Sequence, residues 1–184
     1  MSTTTTQTAA PQIPAGTYTA DASHSSATFE VEHAGVSTFR GAFKPIDARL
    51  VADEEGLRLE GAVRVDSIGV DDENIRPHLL SPDFFDVERN PEVRFRSTEI
   101  SGSRDDLTVA GELSMAGFAL PVEATGRLRG PVSLPGGGRK VALALEAVVD
   151  RTAYGMNWQM ELPGGAAALA NDVRLVVEVE FNGE

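Results

Sequence analysis

Apolar and polar residues alternate with a period of two along most of the chain. In SSATFEVEH, residues 25–33, the odd positions from Ala27 onward are mostly apolar, and the even positions are hydroxyl or charged residues. The same alternation recurs at residues 57–66, 92–98, 106–113, 117–126, 140–149 and 172–181. It is typical of strands that bury one face. With the segment 36–50, which we expect to bend near Lys44-Pro45, the pattern predicts about eight strands.

Turn residues separate these segments at hairpin spacing. Glycine- or proline-rich turns occur at residues 53–56, 101–103, 135–138 and 163–165. Short amphipathic strands joined in this way favour an all-β fold, either an antiparallel sandwich or a barrel. The one plausible helix is DDENIRPHLL, residues 71–80, and Pro77 keeps it short.

The chain has the length of a single domain. Its first 15 residues are rich in Thr, Ala, Gln and Pro, so we expect a disordered tail over residues 1–15 and one β domain over residues 16–184.

Three glycines interrupt otherwise large apolar lines. They occur in Phe39-Gly41-Phe43, Leu59-Gly61-Val63 and Val109-Gly111-Leu113. Glycine allows the kinks that close a barrel, which is a purely structural interpretation. It also omits a side chain from the interior and leaves space for a ligand, and both interpretations stay open at this point.

Composition excludes several classes of function. The chain has no cysteine, which excludes disulfides, thiol catalysis and zinc sites built on Cys. The net charge of −12 disfavours nucleic acid and anionic membrane surfaces as partners. There is no 18-residue apolar run and no readable signal peptide, so we expect a cytoplasmic protein without an integral membrane segment.

Sequence motifs typical of catalytic or metal sites are weak in this chain. His24, His33 and His78 lack metal-ligand spacing, no G-x-S-x-G turn is present, and Gly136–Gly138 is not followed by the rest of a phosphate loop. We therefore predict no catalytic residue, no metal and no cofactor.

An ordered set of short stretches spanning residues 17–181 resembles the YceI-like family, bacterial lipid-binding proteins with a lipocalin-like barrel. The stretches are Tyr18, Asp21, His24-Ser25, Phe29, His33, Gly41, Phe43, Ser67-Ile68, His78-Leu79, Ser81-Pro82-Asp83-Phe84-Phe85-Asp86, Asn90-Pro91, Phe95, Ser97, Val109–Gly117, Asp150-Arg151 and Tyr154-Gly155-Met156. The resemblance implies an extended antiparallel eight-stranded lipocalin-like β-barrel that holds a long-chain isoprenoid, polyprenyl or quinone-like, along its bore.

The residues that we expect to contact such a ligand come from three sources. Strand parity gives most of them. Others come from the segment 75–85, which either plugs the barrel end or acts as a lid for ligand entry, and the single tryptophan is expected at the opposite rim. The set is Ala27, Phe29, Val31, His33, Phe39, Phe43, Leu59, Val63, Leu79, Phe84, Phe85, Phe95, Leu113, Leu145 and Trp158.

The leading hypothesis is a non-enzymatic carrier or sequestering protein. One alternative is an enzyme that acts on a lipophilic substrate through His24 or His33. Another is a filled structural barrel that serves as a dimerising partner protein. Homodimerisation through an outer face is left open.

Overall fold

The computed structural model describes residues 10–183, and nearly all of its regular structure is β. The strands are β1 (Gly16–Ala20), β2 (Ser26–His33), β3 (Ser37–Phe43), β4 (Ile46–Asp53), β5 (Gly56–Arg64), β6 (Ile68–Val70), β7 (Glu92–Gly102), β8 (Leu107–Met115), β9 (Phe118–Ser133), β10 (Arg139–Asp150) and β11 (Leu169–Gly183). The helical segments are α1 (Arg76–Leu80) and three 3-10 turns, Ala22–His24, Val65–Ser67 and Arg151–Tyr154.

The strands form one antiparallel sheet that closes on itself. Three barrel strands are bent, so that each consists of two segments: β1 with β2, β3 with β4, and β5 with β6. The two segments of the first bent strand pair with different parts of β11, and the remaining strands pair in chain order. Counted in this way, the barrel has eight strands, and the predicted fold class is confirmed.

The bend at Lys44-Pro45 lies where the sequence predicted it. The two residues separate β3 from β4. Proline has no N–H to donate to a neighbouring strand, so it fits a place where the ladder is interrupted.

The barrel interior divides along its length into two parts. At the end that carries β1, Tyr18, Leu50, Leu107 and Phe181 are almost completely buried and fill the bore. We call this the closed end. A second cluster at the other end includes Phe29, Phe43, Phe84 and Phe85, together with residues of the Arg151–Met156 segment. We call this the cavity end.

The predicted N-terminal tail is only partly described. Residues 1–9 lie outside the described residues. Residues 10–15 form no helix or strand, but Ala10 and Ile13 contact the core of the closed end, and the hydroxyl of Tyr18 donates to the Pro14 carbonyl at 2.8 Å.

Candidate functional site

An elongated cavity of about 380 Å³ runs from the middle of the barrel to the cavity end. This volume lies in the range of small-molecule sites in proteins. All fifteen residues of the predicted contact set line it, because inward-facing positions alternate along each strand as the sequence indicated. Whether these residues contact a ligand stays a prediction.

Aromatic rings make one wall of the cavity. The Phe29 ring lies 6.1 Å from Phe39 and 5.9 Å from Phe43, between ring centroids, and Phe43 meets Phe85 edge to face at 5.7 Å. Two of these pairs are tilted and one is edge to face, at distances at which aromatic rings attract each other, so the rings pack together as an apolar wall.

Residues 76–91 cover the cavity end and bury two adjacent phenylalanines, Phe84 and Phe85. Helix α1 ends at Leu80, and the chain then turns back, with the Phe85 amide donating to the Leu79 carbonyl at 3.1 Å. Phe84 and Phe85 are both buried by this turn. The segment therefore forms the cover that the sequence predicted over this end of the barrel.

Trp158 lies at this same end of the barrel, not at an opposite rim, and it contacts the cover. Its ring contacts His78 at 5.0 Å and Phe84 at 5.8 Å between centroids. His78 is held in place by Asp83, with 2.9 Å between Nε2 and Oδ2. The two covering segments thus meet across the end of the cavity.

Arg151 is the buried cation of the site, and the contact set omitted it. The residue is 4% exposed and its donors reach backbone carbonyls only: Nε to Ala170 at 2.8 Å, Nη1 to Met156 at 2.6 Å and Trp158 at 2.9 Å, and Nη2 to Leu169 at 3.5 Å. Burial lowers the pKa of Arg151, and the neighbouring Asp150 carboxylate opposes that shift. Arg151 therefore shapes the chain from Met156 to Ala170 rather than offering a free charge.

The C-terminal strand β11 contributes more residues to the cavity wall than the sequence analysis predicted. Val173, Leu175, Val177 and Val179 all face the cavity from β11. Their alternation is plain in the sequence, so the signal that identifies them was present. Met156, which gives no periodic signal, lies outside any strand, and only the tertiary structure places it at the cavity.

The three strand glycines do not share one role. A Cβ on Gly41 would overlap the Phe29 ring, and one on Gly111 would overlap Phe95 and a backbone carbonyl. At these two positions the omitted side chain makes room for an aromatic ring, so the interpretation as ligand space is wrong there. Gly61 differs, because a Cβ would meet only ordinary contacts at 3.7 and 3.8 Å and the residue lines the cavity.

The histidines named in the enzyme hypothesis do not come together. His33 ends β2 at the cavity rim, whereas His24 precedes β2 at the closed end. The seven steps of β2 between them span more than about 20 Å. His24 instead lies with Asp21 and Glu180, and Lys140 bonds to both of these carboxylates.

Within residues 10–183, no helix is long and apolar enough to span a bilayer.

Comparison with known proteins yields one family. A model of the YceI-like domain matches residues 18–181. A UPF0312 protein of Staphylococcus epidermidis is 29% identical over 167 residues, which cover 88% of this chain and 95% of that protein.

Two solved structures show the same fold. BcnA of Burkholderia cenocepacia superposes with a TM-score of 0.74 at 18% identity, covering 88% of this chain and 98% of BcnA. A structure described as a polyisoprenoid binding domain from Saccharophagus degradans gives a TM-score of 0.61 at 8% identity, covering 93% of this chain and all of that domain, 100%.

Proposed function

This chain belongs to the YceI-like domain family, and on that premise we propose that it binds a long-chain isoprenoid lipid in its barrel and carries or sequesters it. The observation that supports the proposal best is the cavity of about 380 Å³, whose wall is overwhelmingly aliphatic and aromatic. The polyisoprenoid-binding description of the Saccharophagus degradans domain agrees with it.

The cavity would obtain its affinity from the hydrocarbon tail. Each methylene removed from water contributes about 0.8 kcal/mol, so affinity should rise with tail length until the cavity is full. Polar side chains in the wall are few, and His33, His78 and Arg151 among them lie near the cavity end. The tail would therefore occupy the bore, with the head group towards that end.

A neutral head group, such as a quinone, suits this site better than an anionic one. The Arg151 guanidinium already donates to backbone carbonyls, and the protein as a whole carries a net charge of −12. Both features weaken the attraction for a phosphate or carboxylate.

Binding without catalysis is the activity that we propose. The separation of His24 from the cavity removes one of the two groups of the enzyme hypothesis, and the cavity itself weighs against a solidly filled structural barrel. Residence in the cytoplasm and homodimerisation stay predictions, to be checked by cell fractionation and by light scattering.

Thermal unfolding with isoprenoid alcohols of increasing length tests the proposal. Geraniol, farnesol and geranylgeraniol should raise the melting temperature in that order, because longer tails bury more methylenes. At a free concentration of 100 Kd the gain is about 2.7 kcal/mol, or roughly 5–10 °C for a chain of this size. A melting temperature that does not change with any of the three alcohols would overturn the proposal.

The lipid itself can be identified after gentle purification from the native host. Organic extraction followed by mass spectrometry should recover an isoprenoid-type molecule from the folded protein. Recovery of a straight-chain fatty acid instead would keep the cavity as a lipid site and reject the isoprenoid assignment.

A further inference from the structure

The barrel wall is split between β9 and β10. Residues 118–126 of β9 pair with β8 along one edge, whereas pairing with β10 along the other edge begins only at Thr125, opposite Glu146. Residues 118–124 of β9 and 147–150 of β10 face each other without ladder bonds. We call this gap the fork. It is about 13 Å long, from four residues at about 3.3 Å each.

The sequence explains why the fork does not close. Continuing the register from Thr125 and Glu146 would bring Pro121 opposite Asp150. Proline has no N–H to donate, and it is confined in sheets to edges and bulges. A ladder between the two strands would be interrupted at that position, so the edge of β9 stays unpaired.

The fork opens directly into the cavity. Val122 and Ala124 on one side and Ala147 and Val149 on the other all line the cavity wall. A surface depression of about 220 Å³ lies outside, and Glu146 and Ala147 border both spaces. The cavity and the surface therefore meet at the fork.

The outer rim of the fork carries unusual apolar exposure. Phe118 is 47% exposed and Val148 is 62% exposed. Phe118 also limits the fork at its far end, because its ring lies against Gly155, where a Cβ would come within 2.8 Å of it. The depression outside is also bordered by the charged residues Glu123, Glu146 and Arg174. An apolar chain in transit would thus meet Phe118 and Val148 beside charged groups at the rim, and apolar side chains inside.

The cavity end offers a less open route. Trp158, His78 and Phe84 meet there, and Arg76 ties α1 to the Ile68 carbonyl at 3.2 Å. By contrast, no element within residues 10–183 pairs across the fork. Opening the cavity end requires breaking these contacts, whereas passage through the fork breaks no ladder bond.

From this geometry we infer that the fork is the portal through which the apolar tail of the ligand enters and leaves the barrel, an inference that rests on the proposed function. The tail slides between the two unpaired edges, and the covering segments at the cavity end stay closed during exchange.

Bridging the fork tests the inference, and the absence of native cysteine makes the chemistry specific. Glu123→Cys with Val148→Cys places thiols on the outer face of the two edges, where a short bis-maleimide can join them. Arg127→Cys with Ala144→Cys is the matched control, because these residues are partners in the paired part of the same two strands. Stopped-flow fluorescence of Trp158 then follows the binding and release of geranylgeraniol.

The bridged fork variant should bind and release geranylgeraniol about tenfold more slowly than its unbridged form, with an unchanged Kd, because only the path is obstructed. The bridged control should keep both rates. Unchanged rates in the bridged fork variant would overturn the portal. Loss of equilibrium binding by the unmodified protein would overturn the proposed function instead, so the two failures are distinguishable.

A variant with one cysteine tests the inference if the protein with two substitutions does not fold. Val148→Cys alone, labelled with a bulky maleimide, should slow both rates, and the same label on Ala144→Cys should not. Equal rates for the two labelled proteins would overturn the inference.

Discussion

Gly61 is the residue at which the cavity volume is most directly adjustable. Valine there would fit the strand, since its Cβ meets only ordinary contacts, and its methyl groups would enter the cavity. We expect Gly61→Val to weaken geranylgeraniol binding about 15-fold if two methylenes of the ligand are displaced. Ala110→Val, on the outer face of β8, is the control and should leave the Kd unchanged. A Kd that is the same in both variants would show that the space at Gly61 is not used.

Arg151 affects stability through the backbone carbonyl groups to which it donates. Arg151→Lys keeps the charge but loses the planar arrangement of donors that reaches Met156, Trp158 and Ala170 together. We expect the free energy of unfolding to fall by about 2–4 kcal/mol in urea titrations, because buried carbonyls are left without partners. Arg127→Lys, on the surface, should change it little. Equal stability of both variants would mean that water molecules donate hydrogen bonds to these carbonyls in place of Arg151.

At the scale of elements, β10 has two kinds of backbone environment. Residues 142–146 lie between β9 and β11, whereas residues 147–150 pair with β11 alone. We expect alternate amides of residues 147–150, those that point into the fork, to exchange with deuterium much faster than those of 142–146, since they lack a strand partner. Nuclear magnetic resonance can follow each amide. Uniform protection along β10 would mean that the fork closes in solution.

For the molecule as a whole, β2 closes most of the barrel against β11, and closure at the closed end depends on a short seam. β1 meets β11 through only three residue pairs, and the cluster of Asp21, His24, Lys140 and Glu180 braces that seam. The pKa of Asp21 is lowered to about 2, first by its hydrogen bond with His24 and further by Lys140. A carboxyl whose pKa is lower in the folded state stabilises the fold above its unfolded pKa, near 3.8, and loses that contribution as the pH falls to about 2.

Urea unfolding between pH 6 and pH 2 tests this seam. Wild-type protein should lose more stability than Asp21→Asn between about pH 4 and pH 2, because only the wild type has this carboxylate to protonate. Above that window the two curves should run parallel. Parallel curves throughout would show that Asp21 does not couple the seam to pH.

Much of the cavity wall was readable from the chain. The alternation along 25–33, 57–66 and 92–98 fixes which side chains share a face, and all fifteen predicted residues line one cavity. Pro121 lies in the part of β9 that is not paired with β10, which fits the confinement of proline to strand edges and bulges. The role of the glycines was not readable, because Phe29 and Phe95 fill the space at Gly41 and Gly111 from other parts of the chain.

The sequence by itself determined the strands, their inward faces and the all-β class, because strand periodicity and turn residues act over a few neighbouring positions. The pattern left sandwich and barrel open, and the barrel was implied by the resemblance to the YceI-like family. Only the tertiary structure decided where the bore is filled and where it is hollow, how Arg151 organises the Met156–Ala170 segment, and where β9 leaves β10. These features depend on contacts and strand registers between residues that are far apart in the chain. The local pattern of apolar and polar residues does not indicate such contacts.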